Sequence, residues 1–134
     1  MAASPDETLP VRVDADVVVV RQRVRTRAVE QGFSLVDQTK IVTAASELAR
    51  NVLVHGGGGE VRLETLNNGM RRGLKLTFQD RGPGIPDVSL AMRDGFSTGG
   101  GLGLGLSGAK RLSNEFEIST VVGEGTRVTI TRWK

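Results

Sequence analysis

Apolar residues follow two different spacings along the chain, and the first of these is helical. Intervals of four, three and four residues predict one buried helix stripe, formed by Ile41, Ala45, Leu48 and Val52. The helix should begin after Ser34, because an acid three positions later makes a variant of the capping box. It should end at His55, because the glycines at 56–59 do not favour a helix. An earlier helix is predicted from Asp14 or Asp16, as its N-cap, to about Gly32.

The second spacing is the alternation of apolar and polar residues that is typical of strands. It predicts one hairpin from residues 60–66 and 73–79, and another from residues 115–122 and 126–133. A short strand is predicted at 8–13, and short helices at 88–93 and 104–112. This order of elements favours an α/β (α+β) fold, a two-layer sandwich of a mixed, mostly antiparallel sheet with helices on one face.

Composition restricts the chemistry that such a fold can carry. A chain of 134 residues is expected to form a single domain, 1–134. The absence of cysteine and the single histidine, His55, exclude thiolate and multi-histidine metal sites. The net charge of +3 is dispersed and few aromatic residues accompany it, so no nucleic acid partner is expected. Without a membrane-length apolar run or a signal-peptide pattern, we expect a cytoplasmic protein with no membrane partner.

Glycine is concentrated in residues 95–106, which read GFSTGGGLGLGL. Glycine lets backbone N–H groups approach phosphate oxygens, and a helix is predicted to follow this stretch. The string at 103–108 is not a dinucleotide-binding fingerprint, because no apolar strand precedes it. A Walker loop is excluded because the chain has no Gly-Lys pair.

Polar side chains at two other places could complete a nucleotide site. Glu47 and Asn51 lie one turn apart on the predicted helix. An amide oxygen can ligate Mg²⁺, and a carboxylate can orient a hydroxyl and accept its proton. Taken alone, this pair is better explained as part of a solvated helix face. Asp80 follows a predicted strand, and its carboxylate could accept a hydrogen bond from an exocyclic amine while Gly82 and Gly84 let a flat ring approach the backbone.

In this order and spacing, the motifs resemble those of the GHKL ATP-binding superfamily, which includes gyrase, histidine kinases and MutL. Residues 47–51 (ELARN) resemble its N box, and Asp80 with Gly82 and Gly84 resembles its first glycine box. Residues 101–105 (GLGLG) resemble its glycine-rich lid, and residues 123–126 (GEGT) its last glycine box. The resemblance spans nearly the whole chain and implies that superfamily's ATP-binding fold.

The resemblance also implies a role for each matching residue. ATP and Mg²⁺ would be the cofactors, with Asn51 as the magnesium ligand and Glu47 as the catalytic carboxylate. Asp80 would select adenine, and the lid would hold the phosphates. The implied nucleotide-binding residues are Asn51, Asp80, Gly82, Gly84, Gly100, Gly101, Leu102, Gly103, Leu104, Gly105 and Thr126.

Within the superfamily, we expect a small serine/threonine kinase. Histidine kinases and gyrase-type enzymes need further domains, for which this length leaves no room. The run at 45–51, together with residues 94–98 before the lid, is most similar to the stressosome switch kinases, which resemble the bacterial anti-sigma-factor kinases. The resemblance implies two kinds of partner, STAS-domain antagonist and scaffold proteins that are phosphorylated and a PP2C-type phosphatase that is activated by binding.

Three alternatives stay open from the sequence. The chain could be an anti-sigma-factor kinase that sequesters a sigma factor, a docking module gated by nucleotide without significant kinase activity, or a bare ATPase. Individual residues are open as well. Arg50 could reach phosphate or be structural, and Lys110 and Arg111 could neutralise phosphate or lie in solvent. The arginines within 21–27 could form a docking site for an acidic partner or an ordinary helix surface.

Overall fold

The computed structural model describes residues 5–92 and 105–134, which form five strands and four helices. The strands are β1 (Glu7–Val11), β2 (Gly59–Asn67), β3 (Arg72–Asp80), β4 (Glu115–Val121) and β5 (Gly125–Trp133). The helices are α1 (Asp14–Glu30), α2 (Leu35–Val54), α3 (Val88–Ala91) and α4 (Gly105–Arg111). None of these described helices is long and apolar enough to cross a membrane.

The strands form one sheet in the order β1-β2-β3-β5-β4. Both predicted hairpins are present, β2 with β3 and β4 with β5. All four described pairings are antiparallel, so the sheet contains no parallel pair of the kind that a mixed sheet would include. The predicted two-layer α/β arrangement is confirmed, and its sheet is antiparallel throughout the described residues.

The core lies between one face of this sheet and the helices. On β3, the side chains of Leu74, Leu76 and Phe78 are at most 1% exposed, and they alternate with half-buried polar residues on the opposite face. Alternation of this kind places one face of a strand in the core and the other in solvent. Helices α1 and α2 pack against the inward face, and α4 packs against α2.

Helix α2 follows the sequence prediction closely. Its predicted apolar stripe is buried, with exposures from 0% to 4% for Ile41, Ala45, Leu48 and Val52. The Ser34 hydroxyl oxygen accepts a hydrogen bond from the Asp37 N–H at 3.1 Å, which caps the helix N-terminus. His55 is the C-cap residue of α2, so the helix ends where the following glycines predicted.

Helix α1 begins differently from the prediction. Its N-cap is Val13, whereas Asp14 or Asp16 was expected. Asp16 nevertheless performs the capping chemistry, because its Oδ2 accepts hydrogen bonds from the N–H groups of Arg12 at 2.8 Å and Val13 at 3.2 Å. The carboxylate therefore satisfies backbone donors from a position inside the first turn.

The arginines of α1 divide into two pairs. Arg23 and Arg27 form ion pairs with Glu7 of β1, and Arg27 is 5% exposed. This pair fixes the helix to the edge strand. Arg21 and Arg25 are exposed, and Arg25 makes a long hydrogen bond of 3.4 Å with Gln38. Two of the four arginines within 21–27, Arg23 and Arg27, therefore have a structural role.

Candidate nucleotide site

Asp80 is a buried carboxylate at the end of β3, with 8% of the residue exposed. Its Oδ1 accepts hydrogen bonds from the Gly82 N–H at 2.9 Å and from the Thr126 N–H at 3.2 Å. The side chain thereby joins the turn after β3 to the start of β5. Within the described residues these are the hydrogen bonds to this carboxylate, so Oδ2 keeps its capacity to accept another donor.

Glycines surround this carboxylate on several sides. A Cβ atom on Gly56 would overlap the Asp80 carboxylate, and one on Gly125 would overlap the Asp80 carbonyl oxygen. A Cβ on Gly82 would lie 2.7 Å from the Gly56 Cα. The end of α2, the turn after β3 and the start of β5 therefore meet at Asp80, which is possible because these positions carry no side chains.

Gly84 brings the same turn against the end of β4. Its φ is +80°, and a Cβ atom there would lie 2.7 Å from the Val121 carbonyl oxygen. The Gly123 N–H donates to the Pro83 carbonyl oxygen at 2.7 Å, which fixes the β4–β5 turn beside it. Gly82, Gly84 and the last glycine box are thus parts of one local assembly around Asp80.

Thr126 takes part in this assembly through its backbone N–H, which holds Asp80. Its hydroxyl shares a hydrogen bond with the Thr120 hydroxyl at 3.0 Å, and the Thr120 oxygen also accepts from the Ile85 N–H at 2.8 Å. The resemblance indicated Thr126 as a nucleotide-binding residue. The described contacts show that it orients the Asp80 carboxylate and that its hydroxyl is bonded to another protein group.

Glu47 and Asn51 are both half-buried on α2, one turn apart. The Asn51 carbonyl oxygen accepts from the N–H groups of His55 at 2.9 Å and Gly56 at 3.3 Å. Asn51 is therefore hydrogen-bonded through its backbone to Gly56, the glycine that abuts Asp80. Among residues 5–92 and 105–134, no hydrogen bond or ion pair engages the Glu47 carboxylate or the Asn51 side-chain amide.

These free polar groups fit a hydrated cation better than a cation held by protein alone. No group of three or more His, Cys, Asp or Glu side chains suited to a metal occurs in the described part of the chain. Mg²⁺ prefers oxygen ligands and commonly takes one or two from protein and the rest from phosphates and water. The Asn51 amide oxygen meets that limited requirement.

The structure describes only some of the remaining predicted residues, which are those of the glycine-rich lid and the basic residues considered for phosphate contact. Gly100, Gly101, Leu102, Gly103 and Leu104 lie outside the described residues. Gly105 is the first residue of α4, with φ +42°. Arg50 is exposed on α2, and Lys110 and Arg111 are exposed in the last turn of α4.

Sequence reasoning missed two residues of this assembly. Gly56 was interpreted only as a helix stop, yet it is the surface on which the Asp80 carboxylate lies. Thr120 was interpreted as an ordinary strand residue, yet its oxygen links two segments of the site. A run of four glycines after a helix was a usable signal for close backbone approach, whereas nothing in the local sequence distinguishes Thr120.

Comparison with known proteins identifies the family. Residues 36–134 match the family described as histidine kinase-, DNA gyrase B- and HSP90-like ATPase. This chain belongs to that ATPase family. The match covers α2, the Asp80 assembly and β5, so the superfamily predicted from the motifs is confirmed.

Curated relatives narrow the class within the ATPase family. The chain is 47% identical over 123 residues to the serine/threonine-protein kinase RsbT of Bacillus subtilis, an alignment that covers 92% of each chain. It is 31% identical over 98 residues to the anti-sigma F factor of Thermoanaerobacter sp. strain X514, covering 69% of this chain and 68% of that factor. The predicted enzyme class, an ATP-dependent serine/threonine protein kinase, is confirmed by the relation to RsbT, as is the resemblance to stressosome switch kinases.

A solved structure of the RsbU and RsbW domains of a Mycobacterium tuberculosis protein has the same fold. It matches 98% of this chain with a TM-score of 0.67 and 23% identity, and this chain corresponds to 33% of that longer one. At this identity the likeness supports the ATPase-family fold alone.

Proposed function

We propose that this kinase transfers the γ-phosphoryl group of ATP, with Mg²⁺, to a serine or threonine of a STAS-domain partner protein in bacterial stress signalling. The observation that carries the proposal is the buried Asp80 carboxylate among glycines, one of which, Gly56, directly follows the end of α2. Asn51 and Glu47 precede it on that helix, and their side chains have no hydrogen-bond or ion-pair partner in the described part of the chain. We further propose that residues 1–134 act as a single ATP-binding kinase domain.

Asp80 would select adenine. Its Oδ1 is held by two backbone N–H groups, so the carboxylate is oriented before nucleotide arrives. Its Oδ2 would accept a hydrogen bond from the exocyclic amine of the base. Gly82 and Gly84 support this role, because a flat ring can approach a backbone that carries no side chains.

Asn51 would hold the magnesium ion through its side-chain oxygen, and it is the proposed metal ligand. When bound, Mg²⁺ would neutralise phosphate charge and fix the phosphate oxygens in place. Backbone N–H groups at Gly100, Gly101, Leu102, Gly103, Leu104 and Gly105 are proposed to hold the phosphates as well.

Glu47 would orient the attacking hydroxyl, and it is the proposed catalytic residue. The hydroxyl oxygen forms a bond to the γ-phosphorus while the bond from that phosphorus to the β–γ bridging oxygen breaks, which releases ADP. The hydroxyl proton passes to the Glu47 carboxylate. Because little covalent work falls to such an enzyme, the placement of Glu47 and Asn51 relative to Asp80 should decide the rate.

STAS-domain antagonist or scaffold proteins are proposed as acceptors, and a PP2C-type phosphatase as a protein that this kinase activates by binding, because the motifs resemble those of the stressosome switch kinases. The similarity to the serine/threonine-protein kinase RsbT supports the kinase part of this proposal. A second candidate is an anti-sigma-factor kinase that sequesters a sigma factor, which the similarity to the anti-sigma F factor favours. Purified chain incubated with each partner separates these candidates, because a sequestering factor must retain a sigma subunit on a column and a switch kinase must retain the phosphatase.

Glu47→Gln tests the central proposal with labelled ATP, Mg²⁺ and a STAS-domain acceptor. The carboxamide keeps the shape of the side chain but accepts no proton, so transfer should fall by ~10²-fold or more while nucleotide affinity stays the same. Asn51→Ala is the companion variant and should remove the magnesium dependence of nucleotide binding. If binding and transfer fell together in Glu47→Gln, Glu47 would be structural and the proposed role would be wrong.

The same reagents distinguish the proposed kinase from two alternative functions, a docking module gated by nucleotide and a bare ATPase. A docking module should keep its effect on the phosphatase in Glu47→Gln and should label no acceptor in the wild type. A bare ATPase should release phosphate equally with and without the STAS-domain protein. The proposed kinase should label the acceptor at a rate that rises with acceptor concentration.

A further inference from the structure

Arg132 connects the sheet to two helices. It lies on the inward face of β5, in alternation with the buried Val128 and Ile130. Its Nη2 donates to the Asp37 Oδ1 at 2.7 Å, and its Nη1 donates to the Leu112 carbonyl oxygen at 2.9 Å. Asp37 is in the first turn of α2 and Leu112 directly follows α4, so one guanidinium links three elements.

The position of Arg132 is constrained by these two acceptors. Its side chain is 12% exposed, and its Nε is buried without a hydrogen-bond partner among the described residues. An unpaired buried donor destabilises a fold, so the bonds to Asp37 and Leu112 must offset that loss. The rigid fork of a guanidinium can reach both acceptors at once, which a lysine amine does less well.

The Asp37 end of this contact is ionic at neutral pH. The hydrogen bond from Arg132 lowers the pKa of the Asp37 carboxyl below its ordinary value, with smaller contributions from Ser34 and Lys40. The backbone of Asp37 is also fixed, because its N–H donates to the Ser34 hydroxyl. The ion pair between Arg132 and Asp37 therefore fixes the backbone of the first turn of α2 as well as the Asp37 side chain.

Asp37 lies on the same side of α2 as the candidate metal ligand. Asp37, Ala44 and Asn51 follow each other at intervals of seven residues, a spacing that drifts by only about 20° per step around a helix. No glycine or proline interrupts α2 between them, so the helix should turn as one body. A rotation of about 10° would move a side-chain tip by ~1 Å at the helix radius of ~6 Å.

We infer that Arg132 is a positioning residue that sets the rotation of α2 against the sheet and thereby aims Glu47 and Asn51 at the bound nucleotide. This rests on the proposed function, because the roles of Glu47 and Asn51 belong to it. The other end of α2 is held separately, by Gly56 against Asp80. Loss of Arg132 should therefore disturb phosphoryl transfer while the adenine contact at Asp80 remains.

The test compares Arg132→Met with Arg127→Met on the same strand. Arg127 is exposed on the opposite face of β5 and donates to the Gln79 side chain at 2.9 Å, so it is a matched control for loss of an arginine. We expect kcat for acceptor phosphorylation to fall ~10-fold or more in Arg132→Met, since a ~1 Å misplacement has that order of effect. The affinity for ADP measured without Mg²⁺, which depends on the contact at Asp80 and not on Asn51, should change less than about twofold.

Conservative variants separate positioning from simple loss of stability. Arg132→Lys keeps the charge opposite Asp37 but not the second bond to Leu112, so it should recover part of kcat. Asp37→Asn serves as a second variant should Arg132→Met fail to fold. Equal losses of kcat in the Arg132 and Arg127 variants would overturn the inference. Parallel losses of kcat and of the ADP affinity measured without Mg²⁺ would overturn it as well.

Hydrogen exchange decides the inference independently of activity. In Arg132→Met without nucleotide, amide exchange should accelerate along α2 as far as residues 47–51, and Arg127→Met should match the wild type. Faster exchange confined to residues 35–40 would overturn the inference. If the wild type transferred no phosphate, the proposed function would fail, and this exchange pattern would still show whether Arg132 holds α2 in place.

Discussion

The two ends of α2 are fixed by opposite means. At the N-terminal end, Asp37 forms an ion pair with Arg132, and Ser34 caps the first turn. At the C-terminal end, Gly56 packs its backbone directly against the Asp80 carboxylate. One end thus depends on charged and polar side chains, and the other depends on the absence of side chains.

Because of this difference, we expect the two ends of α2 to tolerate substitution to different degrees. A side-chain contact can be partly replaced by a residue of similar charge or length, because the partner can adjust. A close backbone approach has less freedom, because an added Cβ atom would overlap the base of the Asp80 side chain at Gly56 and main chain at Gly125. We therefore expect the C-terminal end, which carries the candidate site, to be the more sensitive of the two.

The largest expected effect is at the start of β5, where Gly125 packs against the same Asp80 that the C-terminal end of α2 contacts. Gly125→Ala should lower the free energy of unfolding by about 3 kcal/mol or more, because the backbone conformation is unfavourable for alanine and the new Cβ would overlap main chain. The observed φ of Gly125 is +138°, and the overlapped atom is the Asp80 carbonyl oxygen. Urea unfolding measures the change.

Gly123→Ala in the same turn is the matched control. Gly123 also has a positive φ, of +84°, but nothing lies within 4 Å of an added Cβ. The free energy of unfolding of Gly123→Ala should fall by only about 1 kcal/mol, which is the contribution of backbone strain alone. Equal losses in the two variants would show that close approach at Asp80 does not matter.

The second effect concerns the carboxylate itself. Asp80→Asn should lower ATP affinity by ~10-fold or more, because the amide oxygen would stay with the Gly82 and Thr126 N–H groups and the amide nitrogen would turn a donor toward the exocyclic amine of the base. The loss of a charged hydrogen bond has that magnitude. The amide oxygen can still accept from Gly82 and Thr126, so the free energy of unfolding should change little. Calorimetry of ATP binding, with urea unfolding as the control, tests this, and unchanged affinity would contradict the role of Asp80.

The third effect lies at the N-terminal end and should be smaller. Ser34→Ala removes the cap of α2 and should lower the free energy of unfolding by about 1 kcal/mol. Ser34→Asp should restore most of it, since a carboxylate also caps a helix and interacts favourably with its N-terminus. Nucleotide affinity should be the same in both variants, and a loss of affinity in Ser34→Ala would contradict the separation of the two ends.

The smallest effect is a dependence on pH. The pKa of Asp37 is lowered in the folded protein, so its stabilisation is present above the unfolded value of ~3.9 and is lost as pH falls through the lower folded value. The free energy of unfolding should therefore decline below about pH 4 more steeply in the wild type than in Asp37→Asn. Unfolding at several acidic pH values tests this, and identical slopes would show that the ion pair adds nothing.

Periodicity predicted the elements that position the site. The stripe from Ile41 to Val52 and the cap at Ser34 located α2, and alternation located both hairpins, because such patterns reflect local geometry. The N-cap of α1 was placed wrongly, because an acid inside the first turn can satisfy the same backbone donors as an acid at the cap. Only the side-chain position of Asp16 decides between these, and local sequence does not specify it.

Prediction of the site was less complete than prediction of the elements. The order of motifs singled out Asp80, Asn51 and Glu47, and the roles of these residues stay predictions. The structure added Gly56 and Thr120, and it showed that Thr126 orients Asp80 through its backbone. Each of these contacts joins segments that are far apart in the chain.

The amino-acid sequence by itself determined where most helices and strands form, since the spacing of apolar residues decides this. It also showed which glycines, carboxylates and amides resemble a nucleotide motif, through their order and spacing. Tertiary structure alone decided which backbone meets the Asp80 carboxylate and that Arg132 reaches Asp37 across 95 residues. The physical reason is that close packing and ion pairing depend on the distance between segments in space. That distance is set only when the sheet and the helices bury their common core.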